Sequence, residues 1–155
     1  MSDEPRRLSL LYQLYLTSQA SRRLVRLALE GTDLSGEEYA LCSYLYGNGP
    51  RTLTQAARDF GMPVTTVATL LAPLVEAGHI RRREHPADGR ARLLELTDDG
   101  RARLERALPD FSGAYRALTG QLTEAGVDPE SVFESLDQLR GAILRAAELV
   151  QGERG

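Results

Sequence analysis

The sequence predicts a mainly α-helical fold with one small β-hairpin, and three patterns predict it. Glycines at 31, 47, 49, 61, 78, 100 and 126 cut the 155 residues into segments of helical length. Within those segments apolar residues recur every three or four positions, the spacing of one helix face. Only between Ile80 and Thr97 does the period fall to two, the spacing of a strand.

The first segment spans about residues 5–30 and carries Leu8, Leu11, Tyr15, Leu24 and Leu27, one long helix that Gly31 stops. Ser35-Gly-Glu-Glu38 is a capping box: a serine oxygen takes an orphan amide, and a glutamate three residues on reaches back. It opens a second helix through Tyr39, Leu41, Tyr44 and Leu45. Thr52-Leu-Thr-Gln55 repeats the device and opens a short helix ending at Gly61. Pro63 suits the first turn of a fourth helix, where a missing N–H costs nothing. Val67, Leu70, Leu71 and Leu74 give that helix an apolar face up to Gly78.

Residues 80–85 and 91–97 read as two strands around the turn sequence Pro86-Ala-Asp-Gly89. Thr97-Asp-Asp-Gly100 caps a fifth helix with two acids at its positive end. Leu104, Leu108, Phe111, Tyr115, Leu118 and Leu122 follow at alternating spacings of four and three, and Pro109 is expected to kink or interrupt that helix. Beyond Asp128-Pro129 the stripe returns on a sixth helix as Val132, Leu136, Leu139, Ile143, Ala146 and Val150. Two such stripes suit pairing within one chain or across a dimer.

Composition narrows the function. With 42% hydrophobic and 26% charged residues, the chain is that of an ordinary globular protein. No apolar run approaches the roughly 18 residues of a membrane helix. The N-terminus, Met1-Ser-Asp-Glu-Pro-Arg-Arg7, lacks the basic-then-apolar layout of a secretory signal. The single cysteine, Cys42, excludes an internal disulfide and a multi-cysteine zinc site. A cytoplasmic protein with no metal and no cofactor is therefore expected. Enzyme readings find no support: His79 and His85 flank one strand, and no phosphate loop, HExxH or nucleophile elbow is present.

The net charge of −3 hides an uneven distribution. Residues 51–92 hold seven arginines against four acids, whereas residues 93–155 hold seven against twelve. A basic middle beside an acidic end is an electrostatic footprint for nucleic acid. All 19 basic residues are arginine, which fits GC-rich coding and carries no mechanistic weight.

Residues 52–78 have the form of a helix-turn-helix. Small residues, Ala56 and Ala57, allow close helix approach, Gly61 makes the turn, and the second helix would enter the major groove. The hairpin that follows carries Arg81, Arg82, Arg83, Arg90 and Arg92. A β-ribbon can follow a groove, and an arginine near its tip can enter a narrow, electronegative minor groove. Asp88, two residues before Arg90, is placed to hold that guanidinium in one pose.

The order of elements, and the run from Gly78-His-Ile-Arg-Arg-Arg through Pro86-Ala-Asp88-Gly-Arg90 to Leu96-Thr97-Asp-Asp-Gly100, resembles the MarR family of bacterial transcriptional regulators. That family's wing reads Asp-Pro-x-Asp-x-Arg, followed by Leu-Thr-x-x-Gly. Pro86, Asp88, Arg90, Leu96, Thr97 and Gly100 match, while His85 replaces an aspartate and Gly89 a frequent arginine. The resemblance implies a winged helix-turn-helix with long N- and C-terminal dimerisation helices: residues 1–32 as the first arm, 33–98 as the DNA-binding lobe, and 99–155 as the C-terminal arms. It also implies a homodimer acting as a repressor on a pseudo-palindromic duplex, with Arg90 in the minor groove and Asp88 as its organiser.

Between Pro63 and Ala77 there is no Arg, Lys, Asn or Gln for bidentate base contacts. Thr52, Thr65, Thr66 and Thr69 are the remaining polar candidates on the two helices, and most of the affinity is expected from the arginines. Family members are released by small phenolic or amphipathic ligands held between the arms and the DNA-binding lobe. Tyr12, Tyr15, Gln19, Tyr39 and Tyr115 are the candidate lining residues, since tyrosine offers an apolar ring with a polar handle. Cys42 lies amid Leu41 and Leu45 and is expected to be buried and inert rather than a redox sensor. The alternative is a winged helix used as a ligand-binding or protein-interaction module, an option the reader-poor second helix leaves open.

Overall fold

The computed structural model describes residues 4–153; the first three residues and the side chain of Leu8, both read above, lie outside it. Among the described residues six helices and three strands occur in the order α1 (Glu4–Leu29), α2 (Gly36–Asn48), β1 (Arg51–Thr52), α3 (Leu53–Phe60), α4 (Val64–Glu76), β2 (Ile80–His85), β3 (Asp88–Leu96), α5 (Asp98–Glu124) and α6 (Pro129–Gly152). The chain forms two compact units, Met1–Ala114 and Tyr115–Gly155.

The helix starts follow from local chemistry. Ser35 Oγ accepts from the Glu38 amide and the Glu38 carboxylate accepts from the Ser35 amide. Thr52 and Gln55 make the same reciprocal pair at 3.2 and 2.9 Å, and each such cap is worth about 1 kcal/mol. Gly61 ends α3 at φ 62° and ψ 32°, a left-handed conformation natural to glycine. Pro63 sits one position earlier than expected, as the N-cap of α4. Pro109 does not interrupt α5, whose helix runs through it.

The sheet has three strands rather than the expected two, in the order β1-β3-β2. β1 is two residues long, and Arg51 and Thr52 pair antiparallel with Leu94 and Leu93. β3 begins at Asp88, three residues before the expected start, so Pro86 and Ala87 alone close the hairpin. The Ala87 amide donates to His85 Nδ1 at 3.2 Å across that turn.

One core joins the helices to the sheet: Leu41, Cys42 and Leu45 of α2, Ala56 and Ala57 of α3, Val67, Leu71 and Leu74 of α4, Ile80, Leu94 and Leu96 of the sheet, and Leu104 of α5. Leu71 and Leu74 are fully buried, and truncating either to alanine costs roughly 2–5 kcal/mol. A smaller cluster of Leu29, Leu34 and Ala107, with Tyr39 and Phe111 against it, ties α1 to α5. Arg103 of α5 is a buried charge. It donates to Asp33 Oδ2 at 3.1 Å, to Glu38 Oε1 at 3.4 Å and to the Asp33 carbonyl, so the carboxylate that caps α2 also receives a guanidinium. In contrast α6 has no buried residue, and Phe133, Leu136, Ile143, Leu149 and Val150 are exposed along it. No helix among the described residues is long and apolar enough to cross a membrane.

Candidate nucleic-acid interface

The hairpin is held to the helix pair by a junction built on Thr97 and Gly100. α4 ends at Glu76, and the turn that follows passes through Gly78, φ 75°, with the His79 amide returning to the Leu74 carbonyl at 2.9 Å. Thr97 Oγ1 lies 2.7 Å from the Gly78 carbonyl and 3.1 Å from that of His79, and it accepts from the Gly100 amide at 3.1 Å. One side chain thus caps α5 and clamps the exit of α4. Gly100 is required by proximity, because a Cβ there would lie 2.0 Å from the His79 carbonyl oxygen. The Leu-Thr-x-x-Gly sequence is the chemical form of this joint, and it fixes where the hairpin stands relative to α4.

α4 buries Val67, Leu71 and Leu74 and turns outward Val64, Thr65, Thr66, Thr69, Ala72 and Pro73. Its one charged residue, Glu76, stands in the last turn. The Thr69 hydroxyl donates to the Thr65 carbonyl at 2.9 Å, which commits its proton within the helix. Thr52 is occupied in the cap of α3 and half-buried. The outward face of α4 therefore offers methyl groups and the hydroxyls of Thr65 and Thr66.

The five hairpin arginines are not equivalent. Arg81 pairs with Glu95 at 3.0 Å and Arg83 with the same oxygen at 3.3 Å. The register dictates this, since Arg81 lies opposite Glu95 and Arg83 two residues along the same face. Arg92 reaches Glu84 at 3.6 Å and the Gly89 carbonyl at 3.2 Å. Among the described residues, the guanidinium groups of Arg82 and Arg90 pair with no carboxylate, and both residues are exposed. Exposed pairs are worth little, about 0–1 kcal/mol, but they cancel charge, so the net positive field of the hairpin comes to rest on Arg82 and Arg90.

Asp88 acts differently from expectation. Its Oδ1 accepts from the backbone amide of Arg90 at 3.0 Å, not from the guanidinium. An aspartate that bonds the backbone two residues on is an Asx turn, and it shapes the chain instead of the arginine side chain.

An open cavity of about 800 Å³ lies between the second half of α1, the start of α2 and the α3–α4 pair. Its floor includes Leu29, Leu41, Met62, Val67 and Leu70, and its rim includes Arg22, Arg23 and Arg26. Of the five residues predicted to line an effector site, Gln19 is on this wall. Tyr12 and Tyr15 are exposed on α1, and Tyr39 instead stacks on Phe111, centroids 4.1 Å apart. Tyr115 is exposed and belongs to the second compact unit. Cys42 is 1% exposed, and burial pushes its thiol up to about 11, so it is protonated and inert at neutral pH.

Comparison with known proteins agrees with this architecture. The model of the MarR family matches residues 32–91. The chain is 30% identical over 113 residues to the HTH-type transcriptional repressor YetL of Bacillus subtilis, covering 72% of this chain and 68% of that one. Among solved structures, Bordetella bronchiseptica BpsR, whose DNA binding is regulated by 6-hydroxynicotinic acid, aligns with a TM-score of 0.66 at 21% identity over 84% of this chain and 90% of its own. Reduced AbfR bound to DNA aligns with a TM-score of 0.66 at 22% identity, over 91% and 98%. YetL is a transcriptional repressor, which favours the regulator reading over a repurposed interaction module. On the wing junction, the helix pair and the kinship with YetL together, the chain belongs to the MarR family of transcriptional regulators.

Proposed function

We propose that this regulator is a homodimeric, sequence-specific repressor that binds a pseudo-palindromic duplex, acts in the cytoplasm and carries no catalytic activity. The observation that carries the reading is the pair of unneutralised arginines, Arg82 and Arg90, on a hairpin fixed beside the exposed face of α4. The hairpin supplies phosphate and minor-groove contacts and α4 enters the major groove. Thr52, Thr65, Thr66 and Thr69 would then lie at the DNA along with the arginines. Residues 33–98 form the DNA-binding lobe in this reading, with 1–32 and 99–155 as arms. The apolar residues exposed along α6, and Leu11, Tyr12 and Tyr15 on α1, support pairing with a second copy.

A small amphipathic effector would occupy the cavity beside α1, its apolar body on Leu29, Met62 and Leu70 and its polar end among Gln19 and the rim arginines. BpsR, regulated by a small aromatic acid, lends support by analogy. Fluorescence anisotropy tests the core of the proposal: a repressor binds its own upstream DNA more tightly than a scrambled duplex and loses affinity steeply between two salt concentrations. Absence of binding to either duplex at low salt would refute it.

A further inference from the structure

We propose that α4 selects its half-site through the methyl groups of thymine, using the side-chain methyls of Val64, Thr65 and Thr66. The inference rests on the DNA-binding reading above and goes beyond it by naming the base chemistry that is read. Bidentate hydrogen-bond readout needs forked donors or acceptors, and α4 has no Arg, Lys, Asn or Gln. Its first turn instead exposes Val64, Thr65 and Thr66, the end of a recognition helix that faces base edges. One turn on, Thr69 has its hydroxyl proton committed to the Thr65 carbonyl, which leaves the single hydroxyls of Thr65 and Thr66 as the donors of this face.

Cytosine would place an N4 amino group against this face, where methyl groups desolvate it and only the single hydroxyls of Thr65 and Thr66 can accept from it. Thymine presents a C5 methyl, which gains by being buried there. β-Branched side chains on a helix hold few rotamers, so such contacts form at small entropic cost. The hairpin points to the same DNA, because the unpaired Arg90 suits the narrow minor groove of A·T-rich sequence. An operator rich in A·T pairs satisfies both elements at once.

The test compares the operator duplex with the same duplex carrying uracil for thymine, which deletes only the methyls. Anisotropy titrations should show a loss of roughly fourfold per contacted methyl, the worth of one buried methylene, and about tenfold or more over both half-sites. In the variant Val64→Ala/Thr65→Ser/Thr66→Ser the uracil penalty should collapse, whereas Thr65→Val/Thr66→Val, which keeps the methyls, should retain it. Equal affinity for the thymine and uracil duplexes, with preference over scrambled DNA intact, overturns this inference and leaves the repressor reading standing. A full penalty persisting in the serine variant also overturns it, since the cause would then be DNA shape. Absence of binding to any duplex overturns both.

Discussion

Adding one methyl group at Gly100 tests the joint on which the wing depends. A Cβ there would stand 2.0 Å from the His79 carbonyl oxygen, 2.9 Å from its carbon and 3.0 Å from the Leu96 side chain. Carbon–oxygen contacts settle near 3.3 Å or beyond, so the first turn of α5 and the α4–β2 turn must separate by about 1.3 Å. Neither neighbour at His79 is a flexible side chain; both are backbone. That separation stretches the Thr97 hydroxyl bond to the Gly78 carbonyl and the Thr97 amide bond to the His79 carbonyl, now 2.7 and 3.1 Å, each worth about 1 kcal/mol. Overpacking adds about 1–3 kcal/mol, and the better helix propensity of alanine returns about 1 kcal/mol. Gly100→Ala should therefore destabilise the protein by about 2–4 kcal/mol. Urea unfolding followed by circular dichroism, at one fixed protein concentration, measures it. Gly47→Ala provides the contrast: that glycine is helical with nothing within 4 Å of its added Cβ, so stability should rise by up to about 1 kcal/mol. A Gly100→Ala midpoint at or above wild type would refute the reasoning.

Further outcomes follow from the same geometry. Cys42 should resist alkylation in the native state at neutral pH and react rapidly in urea, because burial both shields the thiol and raises it to about 11; rapid native modification counts against that core. Arg103→Met should cost about 1–3 kcal/mol at pH 7, below the value for a fully buried pair because Asp33 is largely exposed. The Arg103 hydrogen bond holds the Asp33 carboxyl below its ordinary value of 3.8. A depressed carboxylate stabilises above its unfolded value and loses that contribution as pH falls through the folded one. The gap between wild type and Arg103→Met should thus narrow from pH 5 downwards, and a gap that widens in acid, measured by unfolding at each pH, contradicts the pairing.

Much of this architecture was legible because its signals are local. Ser35 with Glu38, Thr52 with Gln55 and Asp128 before Pro129 all cap the helices they announce. The change of period at Ile80 marks the hairpin, and Thr97 marks its end. What escaped depends on pairing at a distance. β1 is two residues long, too short for any period, and it is a strand only because Leu93 and Leu94 lie beside it. The division of the arginines into paired and unpaired follows from a register that puts Glu95 opposite Arg81; anchoring the hairpin at Ile80 and Leu96 would have revealed it. Arg103 reads in sequence as one more charge on a solvated helix, and only the fold brings Asp33 and Glu38 to it. The cavity draws its wall from α1, α2 and the α3–α4 pair, so tyrosines chosen for their chemistry on α1, α2 and α5 could not locate it.

The central claim is that the DNA affinity of this regulator resides in the arginines its own carboxylates leave unpaired. It is tested most directly by titrating operator DNA with Arg90→Ala, Arg81→Ala and Thr69→Ala across a range of salt. The account predicts that Arg90→Ala weakens binding by roughly tenfold or more and lowers the salt slope by about one, more than either other change. Arg81→Ala should cost less, because it frees Glu95 from one of two partners and removes a charge already half-cancelled. If Thr69→Ala or Arg81→Ala proved the most damaging, or Arg90→Ala left both affinity and salt slope unchanged, the account would be contradicted.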